Sequence, residues 1–76
     1  MLTRLPVVFR GYDRTMVDDL LRRTEPALFT DRETVRASAR QALRSAAFPR
    51  RLRGYARRRV RHLVAQRLAA LSDDRD

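Results

Sequence analysis

Few side chains in this 76-residue chain are of a type that performs reactions. His62 is the only histidine, and it stands between Arg61 and Leu63 with no acid near it in sequence. That setting suits a surface position better than a general base. Asp18 and Asp19 are adjacent, so on a helix their carboxylates point about 100° apart and make a poor acid–base pair. The chain has no cysteine, hence no disulfide and no thiolate metal site, and its two glycines cannot form a phosphate-cradling loop. The expectation is a non-enzymatic protein with no catalytic residue, no metal ligand set, no cofactor and no small-molecule substrate.

The abundant chemistry is that of arginine. All 18 basic residues are arginines, lysine being absent, and the formal net charge is +9. Residues 1–38 hold seven arginines against six acids, whereas residues 39–76 hold eleven against three. From Arg50 to Arg67 there are eight arginines and no acid. Such a skew points to an anionic partner, either nucleic acid or an acidic membrane face. Isoleucine and asparagine are absent too, a bias of the kind a GC-rich genome imposes, which accounts for part of the arginine content.

The elements that position these arginines come in two copies. Shifted by 43 positions, 5–28 falls on 48–71 with nine identities in 24 positions. Pro6 meets Pro49, Arg10-Gly11-Tyr12 meets Arg53-Gly54-Tyr55, and Arg14, Val17, Leu20, Ala27 and Leu28 meet Arg57, Val60, Leu63, Ala70 and Leu71. This is a tandem repeat. In each copy an extended segment after proline leads into Arg-Gly-Tyr, where Gly11 and Gly54 permit a tight turn at positive φ. A helix follows. Asp13 is its expected N-cap in copy one, with Val17, Leu20, Leu21, Thr24 and Leu28 as the buried stripe and Pro26 ending it near Thr24 or Glu25. In copy two the stripe is Val60, Leu63, Val64, Leu68 and Leu71, with the helix ending around Ser72.

Between the copies, Thr30-x-x-Glu33 is a capping-box signature for a connecting helix over 30–47, with Val35, Ala39, Ala42, Leu43 and Ala46 facing inward. Arg32, Arg36, Arg40 and Arg44 form an outer stripe, expected to be solvated. The overall expectation is an all-α fold: one domain over 1–76, made of about three helices from two loop-Gly-Tyr-helix motifs, with a frayed acidic tail at 72–76. A chain this short buries a marginal core, so pairing into a homo-oligomer or into a larger complex is expected. No run of about 18 apolar residues is present. The stretch Leu5–Phe9 between Arg4 and Arg10 is too short for a signal peptide. Both points favour a cytoplasmic location.

The string Phe9-Arg10-Gly11-Tyr12-Asp13, followed by Val17-Asp18 and Leu20-Leu21, resembles the N-terminal domain of the DivIVA family of bacterial division and polar-growth proteins, in particular its short tandem members. The resemblance covers 5–28 well and 48–71 more loosely. It implies a binding or adaptor protein at the inner face of the cytoplasmic membrane. It also implies that Phe9 and Arg10, with Leu52 and Arg53 in copy two, are membrane-contacting loop tips; Arg50 and Arg51 would supplement the second tip. Tyr12 and Asp18 match the family's acidic groove for basic peptides, but Arg22 departs from it, and in copy two Ala56 and Arg61 replace both aspartates. The family's long coiled coil is missing.

Three alternatives stay open on sequence. Phe9 and Leu52 could instead tuck into the core. The arginine-rich third helix could contact phosphates as a nucleic-acid-binding module, although it offers only Gln66 as a base-reading amide. A small basic structural subunit of a larger assembly is the third.

Overall fold

A computed structural model describes residues 5–72. The elements are β1 (Val7–Tyr12), α1 (Arg14–Thr24), a 3-10 turn (Glu25–Phe29), α2 (Glu33–Arg44), β2 (Arg50–Tyr55) and α3 (Arg57–Ser72). Arg4 and the tail residues 73–76 lie outside the described region; Ser72, expected in the tail, is the last residue of α3.

The all-α expectation is corrected: the fold is mixed α and β, because the two post-proline segments are strands that pair with each other. Val7 faces Tyr55, Val8 faces Gly54, Phe9 faces Arg53, Gly11 faces Arg51 and Tyr12 faces Arg50, so partner numbers fall as strand numbers rise and the ribbon is antiparallel. The backbone continues the register at both ends: Asp13 N–H donates to Pro49 C=O at 2.8 Å, and Ala56 N–H donates to Pro6 C=O at 2.9 Å. Those two bonds exchange under the 43-residue shift, as do the pairs Val8–Gly54 and Arg51–Gly11. The repeat in sequence is therefore an approximate two-fold axis in space. An isolated extended segment leaves a row of unpaired N–H and C=O groups; the second copy supplies a partner of matching shape.

The strands also cross. Tyr12 meets Tyr55, its own repeat mate. At the crossing a Cβ on Gly11 would lie 2.4 Å from the carbonyl carbon of Gly54, and one on Gly54 would lie 2.2 Å from the carbonyl oxygen of Tyr12. Glycine is required here because two backbones touch. The positive φ expected of the glycines belongs to neither of them but to Arg10, at 65°.

The helices follow from local chemistry. Asp13 caps α1 as expected, its carboxylate accepting from Met16 N–H at 3.1 Å, and Pro26 confines α1 to Thr24 by forcing the 3-10 turn. The expected capping box of α2 does not form: Thr30 Oγ1 accepts from Arg32 N–H two residues on, and the helix starts at Glu33 and ends at Arg44, shorter than 30–47. Leu20, Ala27, Ala39, Leu43 and Leu71 make the core, with Leu28, Val35, Phe48, Val64 and Leu68 packed around it. Val17 and Val60, repeat mates, are both 1% exposed.

The arginine stripe of α2 is only partly solvated. Arg36 donates to the carbonyls of Ala27, Thr30, Ala70 and Leu71, and Arg40 donates to Leu71 C=O at 3.0 Å while pairing with Glu33. These guanidinium groups satisfy carbonyls left open at the end of α3 and carry the charge that a helix C-terminus favours. Arg67 does the same for α1, reaching Leu21 C=O at 2.7 Å and the buried Thr24 hydroxyl at 3.1 Å. Thr24 and Arg67 are repeat mates.

Candidate membrane- and anion-facing site

The β-ribbon sets both expected tips side by side, because Phe9 is register partner to Arg53. Phe9 is 70% exposed and Leu52 is 69% exposed, so neither tucks into the core. Val7 and Val8 add apolar surface, and Val7, Val8, Phe9 and Arg53 line one shallow cleft. Arg10 stands 5.6 Å over the Phe9 ring, within cation–π range. Its left-handed backbone costs a non-glycine residue about 1–2 kcal/mol, a strain that clusters where a side chain must be presented in one direction.

The other basic tip residues, Arg50, Arg51 and Arg53, are all exposed, and Arg51 is also engaged in an ion pair. Arg51 Nε donates to Asp13 Oδ2 at 2.8 Å. The Asp13 carboxyl is accordingly held below its ordinary value of 3.8, first by that bond and then by the Met16 N–H.

Tyr12 and Asp18, expected to line one groove, are not bonded to each other. Each is partnered across the pseudo-two-fold axis, at equivalent positions but with opposite polarity. Tyr55 O–H donates to Asp18 Oδ1 at 2.8 Å; in the mate position Arg61 donates to the Tyr12 hydroxyl at 3.4 Å. The Asp18 bond raises the Tyr55 hydroxyl above its ordinary 10.0, with burial adding to it. Tyr12 also stacks on Phe48, ring centroids 5.3 Å apart. Asp18 is thus occupied within the chain, and Asp19 pairs with Arg22 and Arg23.

The sequence did not single out Arg57 and Arg58 as site residues. With Arg10 and Arg61 they border a cleft of about 370 Å³ beside Phe9. The cue was present in the eight arginines without an acid, but only the fold brings the first turn of α3 to the same cleft as Phe9 and Arg10. Among the described residues no group of three or more His, Cys, Asp or Glu side chains is placed to hold a metal ion.

Comparison with known protein families, with curated proteins and with solved structures finds no match. No helix of the described region is long and apolar enough to cross a membrane.

Proposed function

We propose that the chain is a non-enzymatic, DivIVA-like adaptor that sits peripherally on the inner face of the cytoplasmic membrane, in the setting of cell division or polar growth. The observation that carries the reading is the pair of exposed apolar tips, Phe9 and Leu52, set side by side and surrounded by Arg10, Arg50 and Arg53. An aromatic side chain that leaves water for the interfacial region contributes about 1.5–3 kcal/mol. Each arginine near an anionic surface adds about 1 kcal/mol. Two tips held in one rigid ribbon engage together, so their contributions combine without a second loss of freedom.

The occupied state of Asp18 and Asp19 speaks against capture of basic peptides by this chain. A protein partner, if recruited, meets the helical side of the molecule while the ribbon faces lipid.

Co-sedimentation with vesicles tests the reading. The wild-type chain is expected to bind vesicles containing phosphatidylglycerol and to ignore neutral phosphatidylcholine. Phe9→Ala should weaken that binding about tenfold, and Phe9→Ala with Leu52→Ala should weaken it further, with stability unchanged to within about 0.5 kcal/mol because both side chains are exposed. Absence of binding even at low salt, or binding that ignores both substitutions, contradicts it. Tight retention on nucleic acid that falls steeply with salt and is indifferent to Phe9 would favour the nucleic-acid reading instead.

A further inference from the structure

The two halves of the molecule can be laid on each other by the 43-residue shift, and the comparison isolates a place where they differ in charge. Beside tip one, the cleft of about 370 Å³ is bordered by Phe9, Arg10, Arg57, Arg58 and Arg61. The positions that correspond to its lining in the other half carry Arg51, Leu52, Arg53, Arg14, Thr15 and Asp18, with Asp13 in place of Ala56 and Arg51 in place of Val8. Four arginines and no acid on one side therefore stand against three arginines and two acids on the other. Among the described residues none of Arg10, Arg57, Arg58 and Arg61 is in an ion pair. On the other side Asp13 is already paired with Arg51. Four like charges gathered without a counter-ion repel one another, and an anion in the cleft removes that repulsion.

We propose that this cleft is a phosphate-binding site, seating a phosphate group between Arg10, Arg57, Arg58 and Arg61, with Phe9 as its apolar wall. The chemistry is that of a guanidinium fork on a tetrahedral oxyanion: each arginine offers five N–H donors in a fixed plane, suited to bidentate contact with phosphate oxygens. Tyr12 occupies one N–H of Arg61 through its hydroxyl oxygen and so holds that fork in place, leaving its remaining donors for the ligand. Arg10 is aimed by its positive-φ backbone, which its mate Arg53 does not share. The same phosphate chemistry is carried by a lipid headgroup or by free phosphate. The headgroup source rests on the membrane reading above; the cleft itself does not.

The test is an amide titration of the full chain by NMR with inorganic phosphate, against chloride at matched ionic strength, beside vesicle binding with phosphatidylglycerol. Saturable shifts at Arg10 and 57–61, absent at 14–18, are expected. Arg58→Gln with Arg61→Gln should weaken phosphate on the order of tenfold or more, while Arg14→Gln in the other half leaves it unchanged. These residues are on the surface, and the spectrum of each variant reports directly that it is folded.

If the double variant also loses vesicle binding, the source is the lipid headgroup. If it loses inorganic phosphate but keeps vesicles, the source is free phosphate. Phosphate binding in a chain that ignores vesicles would sink the membrane reading and leave the cleft standing. Phe9-dependent vesicle binding without any phosphate shift would sink the cleft and leave the membrane reading. Shifts of equal size in both halves, with phosphate or with a single-stranded oligonucleotide that outcompetes it, would also overturn the proposal.

Discussion

Repeat one and repeat two share a backbone plan and differ in how their helices begin, end and are charged. Copy one starts α1 with the Asp13 cap and stops it at Thr24 before Pro26; copy two starts α3 at Arg57, preceded by Ala56, which has no side-chain oxygen to cap it, and has Ala69 where Pro26 stands, so the helix runs on to Ser72. Where the strands cross and in the interior, the copies agree: Gly11 with Gly54, Tyr12 with Tyr55, and the buried Val17 with Val60. Where they face outward, the first copy is nearly neutral and the second strongly basic. The difference teaches that mating of the two motifs constrains the residues on the axis. The flanks are free to differ, copy one holding acids in ion pairs and copy two carrying arginines with no acid.

The crossing is the point at which this symmetry is most sensitive to substitution. Gly11→Ala and Gly54→Ala each drive a Cβ into the opposing backbone, where no flexible side chain can move aside. Each is expected to cost about 3 kcal/mol or more, a large share of the stability of a domain this small, and to do so to a similar degree. Urea denaturation measures it. A tolerated Gly54→Ala beside a lethal Gly11→Ala would show that only one copy is held at the axis.

A smaller effect sharpens the contrast between the tips. Arg10 is at φ 65° and Arg53 is not in the left-handed region. Arg10→Gly should therefore stabilise the fold by about 1 kcal/mol while weakening anion binding, whereas Arg53→Gly should bring no such gain. Paired melting curves and vesicle binding decide it. A loss of stability in Arg10→Gly would mean that the cation–π contact with Phe9 outweighs the backbone strain.

The smallest effect is acid sensitivity confined to copy one. A carboxyl whose value is lowered on folding stabilises the folded chain above its ordinary 3.8 and loses that contribution as pH falls through the lowered value. Asp13→Asn should flatten part of the fall in melting temperature on the acid side of the ordinary 3.8, and the exposed guanidinium of its partner Arg51 keeps the effect modest. An unchanged acid limb would show that the Arg51–Asp13 bond does not persist in solution.

How much of this was legible in the sequence can be argued residue by residue. The repeat, the Asp13 cap, the Pro26 stop and the apolar stripes were legible because each is a local pattern of one chain segment. The strands were not. Arg50-Arg51-Leu52-Arg53 has no alternation of apolar and polar residues, and each strand contains a glycine that argues locally for a turn. Their pairing is a long-range consequence of the repeat, invisible to any window. Gly11 and Gly54 were legible as necessary but for another reason, since steric demand from a distant backbone leaves the same mark as positive φ. Arg36, Arg40 and Arg67 were hidden by charge: an arginine that serves carbonyls at a helix end cannot be told in sequence from one that faces water. The exposure of Phe9 and Leu52 was not legible from their own segments, because one apolar residue in a short extended segment suits core and surface equally.

The central claim is that the two repeats of one chain close on each other and so bring both tips to one end. It is tested most directly by a disulfide across the ribbon, in a chain that has no cysteine of its own. Phe9 and Arg53 are register partners and both are exposed, so Phe9→Cys with Arg53→Cys should oxidise within the chain, leaving a species of monomer mass with its fold intact. A pair of thiols that stays reduced, or one that links only between chains into a covalent dimer, would contradict the account.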